Sequence, residues 1–158
     1  MSPLFPNFTS DASTRNSIDE MPHRFPFLFI DEAQVLNDSV HAVYKIKGDE
    51  NFLKGHFKDN PVFPASIMIE ALGQLGVLFL VASQSNQIIE PVDPNSIYFT
   101  SCDGIKCFRV CKPGDTLQLT VHLKRIRKPL AVFEGKISVN DVKTAKAESI
   151  TLLFDSKH

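Results

Sequence analysis

Glu70 is the only ionisable residue in the most apolar stretch of the chain, residues 62–89. A carboxylate buried without a partner carries a large desolvation cost, so it must find hydrogen-bond donors, bind a proton or serve a reaction. A lone glutamate in an arbitrary helix more often reaches solvent. The isolation of Glu70 still makes it the first candidate for proton transfer.

A histidine precedes Glu70 by fourteen residues. His56 follows Gly55, and a turn with Pro61 and Pro64 separates it from Glu70. Residues at this separation cannot share a helix face, so only folding or a second subunit can bring them together. Imidazole titrates near neutral pH and suits a general base, although a histidine beside a glycine is by itself more often a turn residue. Together the two residues predict acid–base chemistry.

Composition limits the class of protein. The chain has 158 residues, 43% of them hydrophobic and 22% charged, which suits one globular domain with a full core. Its net charge of -1 gives no reason to expect nucleic acid or an anionic membrane as the defining partner. Glu70, Gln74 and the polar residues 83–87 interrupt the apolar stretch, so a buried helix is expected there and not a membrane span.

Three cysteines, Cys102, Cys107 and Cys111, lie within ten residues. Their odd number and their spacings of five and four match neither a disulfide framework nor a zinc half-site, so no metal is predicted. No cofactor is expected either. The N-terminus lacks the basic start and apolar core of a secretion signal. These features predict free thiols in a cytoplasmic protein.

The order of predicted elements is two strands, one long helix and a run of further strands. Residues 1–17, rich in Ser, Thr, Asn and Pro, are expected to form a flexible arm, and residues 18–158 a single domain. A hairpin is predicted over residues 28–48, with its turn at 37–39, and the helix runs from Ala65 to about Ser83. Alternating apolar residues predict strands at 97–102, 105–111, 116–126, 130–140 and 145–154.

A helix that is apolar on nearly all sides must be covered on most of its surface. An antiparallel sheet wrapped around it achieves this, with a second subunit covering the remainder. The pattern therefore predicts an α+β hotdog fold, in which a long central helix is wrapped by an antiparallel sheet, and a dimer.

Three segments resemble 3-hydroxyacyl-[acyl-carrier-protein] dehydratases of the FabZ type. They are MPHRFPFLFID at 21–31, GHFKDNPVFPASIMIEALGQ at 55–74 and YFTSCDGIKCFRVCKPGD at 98–115. The resemblance covers about residues 18–154. It implies that the protein removes water from a 3-hydroxyacyl chain carried on acyl carrier protein and forms a trans-2-enoyl thioester.

The resemblance also implies roles for individual residues. His56 is the base that takes the C2 proton, and Glu70, with its pKa raised by apolar surroundings, is the acid that protonates the departing hydroxide. The N–H of Ala65 holds the thioester oxygen, and Gly55 lets the chain pass close to the thioester. In the family's dimers, which can form trimers of dimers, His56 of one subunit faces Glu70 of the other.

The chain departs from the family's pattern at three positions. Ala65 replaces a glycine after Pro64, so the oxyanion contact requires a negative φ at this residue. Lys58 stands where the family commonly has proline, and Phe63 where it has methionine. The resemblance implies an acyl tunnel, to which we assign these residues: Phe57, Phe63, Ser66, Gln74 and Tyr98. Gln74 is expected to support Glu70, and Tyr98 to gate the tunnel.

Carrier proteins are strongly acidic, so their docking needs a basic patch. Four cations crowd the five residues 124–128. Such a run is just as often a solvated turn. The candidate docking residues are Lys106, Arg109, Lys124, Arg125, Arg127 and Lys128.

Three other functions fit a hotdog domain. An acyl thioesterase would use a carboxylate to activate water. A dehydratase that also isomerises the double bond tends to carry aspartate at the helix position, and Glu70 speaks against it. A non-catalytic subunit would bind acyl chains or complete a partner's site, and the retention of both His56 and Glu70 makes this the minority reading.

Overall fold

The computed structural model describes residues 8–82 and 84–158. Seven strands within these residues form one antiparallel sheet. They are β1 (Glu32–Val35), β2 (Ser39–Lys45), β3 (Tyr98–Asp103), β4 (Lys106–Cys107), β5 (Thr116–Arg127), β6 (Leu130–Val139) and β7 (Val142–Leu153). The strands follow the order β1-β2-β5-β6-β7-β3, and β4 also pairs with β7.

Two hairpins show how local sequence sets this order. The predicted hairpin is confirmed, since β1 and β2 pair from Val35 opposite Val40 onward. In the second hairpin, Val139 lies opposite Val142, and the two residues between them, Asn140 and Asp141, have φ values of 50° and 63°. Asn and Asp tolerate this left-handed conformation better than other non-glycine residues, which suits them to a two-residue turn.

The long helix, α2 (Ala65–Ala82), packs against the sheet and confirms the α+β hotdog architecture. Two glycines let it approach closely. A Cβ at Gly73 would lie 2.5 Å from the ring of Phe99, and one at Gly76 would lie 2.8 Å from Leu152. By length and composition α2 could also cross a membrane, but 67% of it is buried inside the fold, as expected for a core helix.

The N-terminal segment differs from the prediction. Residues 12–20 form a helix, α1 (Ala12–Glu20), whose N-cap Asp11 accepts a hydrogen bond from the Thr14 N–H at 2.7 Å. Just before it, the Ser10 hydroxyl accepts a hydrogen bond from the N–H of Ala33 in β1. These contacts correct the expectation of a flexible arm from residue 8 onward. Residues 1–7 lie outside the described part of the chain.

The sheet ends at β3, which pairs with β7 on one side only. Gly104, with φ 64°, separates β3 from β4, and a Cβ there would lie 2.6 Å from that of Glu148. Several large apolar side chains near this edge are exposed. They are Tyr98, Phe99, Ile105, Phe108 and Val110.

Candidate active site

His56 lies just after a short 3-10 helix, η1 (Asn51–Lys54), on the loop that leads to α2. Its Nδ1 is 2.8 Å from the carbonyl oxygen of Val62. Because a carbonyl only accepts, Nδ1 carries the hydrogen and Nε2 of the neutral ring has a lone pair. The ring also stacks on Phe57, with centroids 4.0 Å apart. The loop therefore holds a half-buried imidazole in the tautomer of a base at Nε2.

Backbone hydrogen bonds hold this loop in shape. Phe57 and Asn60 exchange N–H···O bonds of 2.8 and 3.0 Å, and the Val62 N–H donates to the His56 carbonyl at 2.8 Å. The Phe63 N–H then donates to the carbonyl of Cys111, which ties the loop to the segment after β4. The position of His56 is thus set by main-chain contacts on both sides.

The placement of Phe63 corrects its assignment to the tunnel lining. Its side chain is 1% exposed, and its ring centroid lies 5.5 to 6.2 Å from those of Phe29, Tyr44 and Phe52. A side chain enclosed in this way has no surface to offer a ligand. Phe63 supports the loop from within the core.

Glu70 is half-buried on α2, and two side chains contact the same carboxylate oxygen, Oε1. Gln74 Nε2 donates to it at 3.1 Å, and His23 Nε2 lies 3.5 Å from it. Burial by itself would raise the pKa of Glu70, whereas the contacts with His23 and Gln74 and the charge of His23 lower it. The balance places the pKa below its usual value. The expectation of a raised pKa is therefore wrong for the isolated chain, because Glu70 has partners.

Gln74 connects Glu70 to the rest of the fold. Its side chain is 1% exposed, and its Oε1 accepts a hydrogen bond from the Phe29 N–H at 2.9 Å. Its Nε2 donates to the Phe27 carbonyl as well as to Glu70. The residue has the supporting position that the sequence predicts, but it is too buried to line a tunnel.

His23 is the site residue that sequence reasoning missed. It lies between α1 and β1 in the motif PHR, directly before the run FPFLFID. Met21, two residues earlier, is fully buried, and the Arg24 side chain binds the carbonyls of Asp19, Met21 and His23 itself. A second histidine in a segment that resembles the family was a usable signal.

The start of α2 fits the predicted backbone donor. Ala65 and Ser66 are exposed at the first turn, where N–H groups have no acceptor within the helix. The positive φ values found at non-glycine residues within 8–82 and 84–158 belong to Asp59, Asn140 and Asp141. Ala65 therefore meets the condition of a negative φ.

The other predicted residues are spread more widely. Phe57 is 51% exposed and Tyr98 is 63% exposed, so both have surface available for a ligand or a second subunit. His56 and Glu70 are not in contact within the described residues. The same residues contain no group of three or more His, Cys, Asp or Glu side chains placed to hold a metal ion.

The basic residues do not form one patch in a single chain. Lys106 lies opposite Lys146 on β7. Arg127 belongs to a different row of paired residues, which crosses the sheet from β5 through β6 and β7 to Tyr98 on β3. These two rows are about 20 Å apart at the usual rise per strand residue. Lys128 is engaged by Asp155 at 3.4 Å, by Glu90 at 3.9 Å and by the Ser156 hydroxyl.

With this geometry in place, comparison with known families is decisive. The model of the FabA-like domain matches residues 21–148, which include His23, His56 and Glu70. The chain belongs to the FabA-like family. The matched region of this FabA-like protein runs from the segment that carries His23 into β7, the last strand in chain order.

Curated relatives cover most of the FabA-like chain. It is 36% identical over 135 residues to the 3-hydroxyacyl-[acyl-carrier-protein] dehydratase FabZ of Coxiella burnetii, with 84% of this chain and 92% of the relative covered. It is 34% identical over 137 residues to the enzyme of the same name from Campylobacter concisus, which covers 85% and 93%.

Solved structures agree on the fold. The dehydratase heterocomplex ApeI:P from Xenorhabdus doucetiae superposes with a TM-score of 0.72 at 17% identity, covering 89% of this chain and 91% of that one. The virulence protein Cj0977 of Campylobacter jejuni superposes with a TM-score of 0.63 at 14% identity, covering 97% of each chain. At these identities the likeness concerns the fold alone.

Proposed function

We propose that the protein is a 3-hydroxyacyl-[acyl-carrier-protein] dehydratase of fatty-acid or related acyl-chain biosynthesis. One observation carries the proposal: a histidine with a free Nε2 lone pair is fixed on the loop that leads to a helix bearing an anchored carboxyl group. The curated relatives named as FabZ dehydratases support the same reaction. A cytoplasmic location, without a metal or cofactor, is part of the proposal.

The reaction needs one base and one acid. Nε2 of His56 takes a proton from C2, and the electron pair of the broken C–H bond forms the C2=C3 double bond as the C3–O bond breaks. The departing hydroxide takes a proton from the protonated form of the Glu70 carboxyl and leaves as water; because the pKa of Glu70 is lowered in the isolated chain, this form becomes scarcer as the pH rises. The negative charge that builds on the thioester oxygen is held by the N–H of Ala65 at the helix start.

The proposal includes a homodimer with a shared site, which further assembly into a trimer of dimers would retain. Two observations support it: the free edge of β3 with its exposed apolar side chains, and the lack of contact between His56 and Glu70 within the described chain. A second copy adding its own β3 would continue the sheet and cover this surface. His56 of one copy would then face Glu70 of the other.

Dehydration of a 3-hydroxyacyl-carrier protein by the purified protein tests the proposed function directly. Mass spectrometry follows the loss of one water from the carrier-bound chain, over a series of chain lengths. Release of free carrier thiol without loss of water would identify a thioesterase instead. Binding of acyl-carrier protein with neither reaction would identify a non-catalytic subunit.

Gly55→Ala tests the predicted close approach of the thioester to the loop. Gly55 has φ −105°, and an added Cβ would meet nothing within 4 Å in the chain, so we expect an unchanged melting temperature. A lower kcat/KM at unchanged stability would show that substrate or a partner passes over this residue. Unchanged activity would contradict the close approach.

Gly104→Ala is the matched control for Gly55→Ala. Gly104 has a positive φ, and its Cβ would clash with Glu148, so this variant should be destabilised. The two alanines separate a glycine required by the fold from one required by the ligand.

Double charge reversal, Arg125→Glu with Arg127→Glu, tests carrier docking at the end of β5. Both arginines are exposed and form no ion pair with the described residues, and the row of Arg127 leads to Tyr98 about 15 Å away at ordinary strand spacing. We expect KM for carrier-bound substrate to rise about 10-fold or more while a short thioester analogue is unaffected. Lys136→Glu, exposed on β6, controls for a charge reversal placed elsewhere on the sheet, with half the change in net charge. Equal effects of the double reversal on both substrates would contradict docking here.

The remaining predicted docking residues have a weaker case. Lys124 donates to the Glu148 carbonyl at 3.1 Å, and the ion pairs of Lys128 already neutralise it. Lys106 and Arg109 shortly precede Cys111, whose carbonyl accepts a hydrogen bond from the Phe63 N–H at the end of the loop that carries His56. They remain candidates for a second docking area beside the site.

A further inference from the structure

The geometry around Glu70 assigns a role to His23. We propose that His23 is a positioning residue: with Gln74 it holds Oε1 of Glu70, so that Oε2 is left to exchange a proton with the substrate hydroxyl. The inference rests on the proposed dehydratase function and extends it to a residue outside the His56–Glu70 pair.

The division between the two carboxylate oxygens is the first observation. Both polar contacts of Glu70, from Gln74 at 3.1 Å and from His23 at 3.5 Å, are made to Oε1. Within residues 8–82 and 84–158, Oε2 has no hydrogen-bond partner, and it is not among the enclosed polar atoms that lack one. Oε2 is therefore the oxygen that is open to a ligand.

The second observation is the environment of the His23 ring. Its Nδ1 is buried and has no hydrogen-bond partner in the described part of the chain. A protonated nitrogen there would be a buried donor without an acceptor, which is unfavourable. The hydrogen of the neutral ring therefore belongs on Nε2, the nitrogen that faces Glu70. Within the described residues, the contact with Glu70 is therefore the polar contact made by the imidazole of His23.

The backbone around His23 makes the contact specific. Met21 anchors the segment in the core, and Arg24 fixes the carbonyls on both sides of the turn. The distance of 3.5 Å is longer than an ordinary hydrogen bond, and catalytic hydrogen bonds are often long before substrate binds.

The charges that face Glu70 come from few elements. His23, on the segment between α1 and β1, contributes a neutral donor and, when its ring is protonated, a positive charge; Gln74 on α2 contributes a second neutral donor. In the proposed dimer, His56 of the second copy would face Oε2. The pKa of Glu70 is lowered by its two side-chain contacts against the opposing effect of burial. Loss of His23 therefore raises this pKa, and the carboxyl keeps its proton to a higher pH.

His23→Leu and His23→Gln, made in the full chain, test the assignment. In protein labelled with ¹³C at the glutamate carboxyl, the Glu70 resonance is identified by its disappearance in Glu70→Gln. We expect Glu70 to titrate at higher pH in His23→Leu than in the natural chain. His23→Gln, which keeps a donor, should lie between them, and His122→Gln, an exposed histidine on β5, should cause no change.

Kinetics provide the second readout. At its optimum, kcat of His23→Leu should fall by about 10- to 100-fold, because the carboxyl is no longer held in place. The high-pH limb of its kcat/KM profile should move to higher pH. A purely structural role would lower the rate without moving that limb.

The outcomes are distinguishable from those for the proposed function. An unchanged Glu70 titration in a folded His23→Leu or His23→Gln variant overturns the assignment, whatever the activity. If the natural chain does not dehydrate any acyl chain, the proposed function fails, while the titration still decides whether His23 controls Glu70. If His23→Leu does not fold, the titration of His23→Gln decides the matter.

Discussion

His56→Ala and Glu70→Gln should each lower kcat/KM for dehydration by about 10²- to 10⁴-fold, the usual contribution of one general acid or base. The alanine removes the only group proposed to accept the C2 proton. The glutamine keeps the size of Glu70 and can still contact Gln74, but it has no proton to give to the departing hydroxide. Turnover is measured by the loss of one water from a 3-hydroxyacyl-carrier protein.

Stability measurements make this result interpretable. Both side chains are only half-buried, and neither is one of the packed rings around Phe63, so the melting temperatures should stay close to that of the natural chain. If either variant keeps full activity, its residue is not the acid or base.

Mixing the two inactive variants tests the shared site. A heterodimer of His56→Ala and Glu70→Gln chains contains one site with both natural groups and one with neither. About half of the natural activity per dimer is then expected when the subunits are refolded together and heterodimers are purified by two different tags. No recovery in verified heterodimers would contradict a site built from two subunits.

Phe63→Ala should destabilise the protein by about 3–5 kcal/mol, the usual cost of removing a large buried side chain. Phe63 is 1% exposed and contacts the rings of Phe29, Tyr44 and Phe52. Because its N–H also ties the catalytic loop to Cys111, the cavity should loosen the support of His56. Urea denaturation measures the free energy of unfolding.

Phe63→Met is the matched control for the cavity. Methionine is flexible and apolar and fills much of the same space, so the cost should stay below about 1.5 kcal/mol. Equal destabilisation by alanine and methionine would contradict the assignment of Phe63 to the core. A large change in the preferred acyl-chain length with unchanged stability would instead support the assignment of Phe63 to the tunnel lining.

The fold was predictable wherever the sequence has a regular period. Alternating apolar residues predicted β5, β6 and β7, and the long, mostly apolar run predicted α2 to within one residue of its described end. The helix α1 was not predicted, because its residues are mostly polar. It depends on the Asp11 cap and on the contact of Ser10 with β1, and neither produces a period in the sequence.

The site was predictable in its residues but not in its electrostatics. His56 and Glu70 stand out by type and surroundings. The direction of the Glu70 pKa does not, because it depends on His23, which lies 47 residues earlier in the chain and contacts Glu70 only in the folded protein. Phe63 was misplaced for a similar reason, since one sequence does not tell a core phenylalanine from a tunnel phenylalanine.

The unpaired edge of β3 has a consequence for the life of the newly made chain. An edge strand beside exposed aromatic side chains is a template for any extended peptide, including unfolded copies of the same protein. If the proposed dimer forms, a solitary chain is therefore most vulnerable to aggregation immediately after synthesis, before a second copy covers this edge. Translation of one messenger RNA by many ribosomes raises the local concentration of new chains and would shorten that interval. A low concentration of new chains would prolong it.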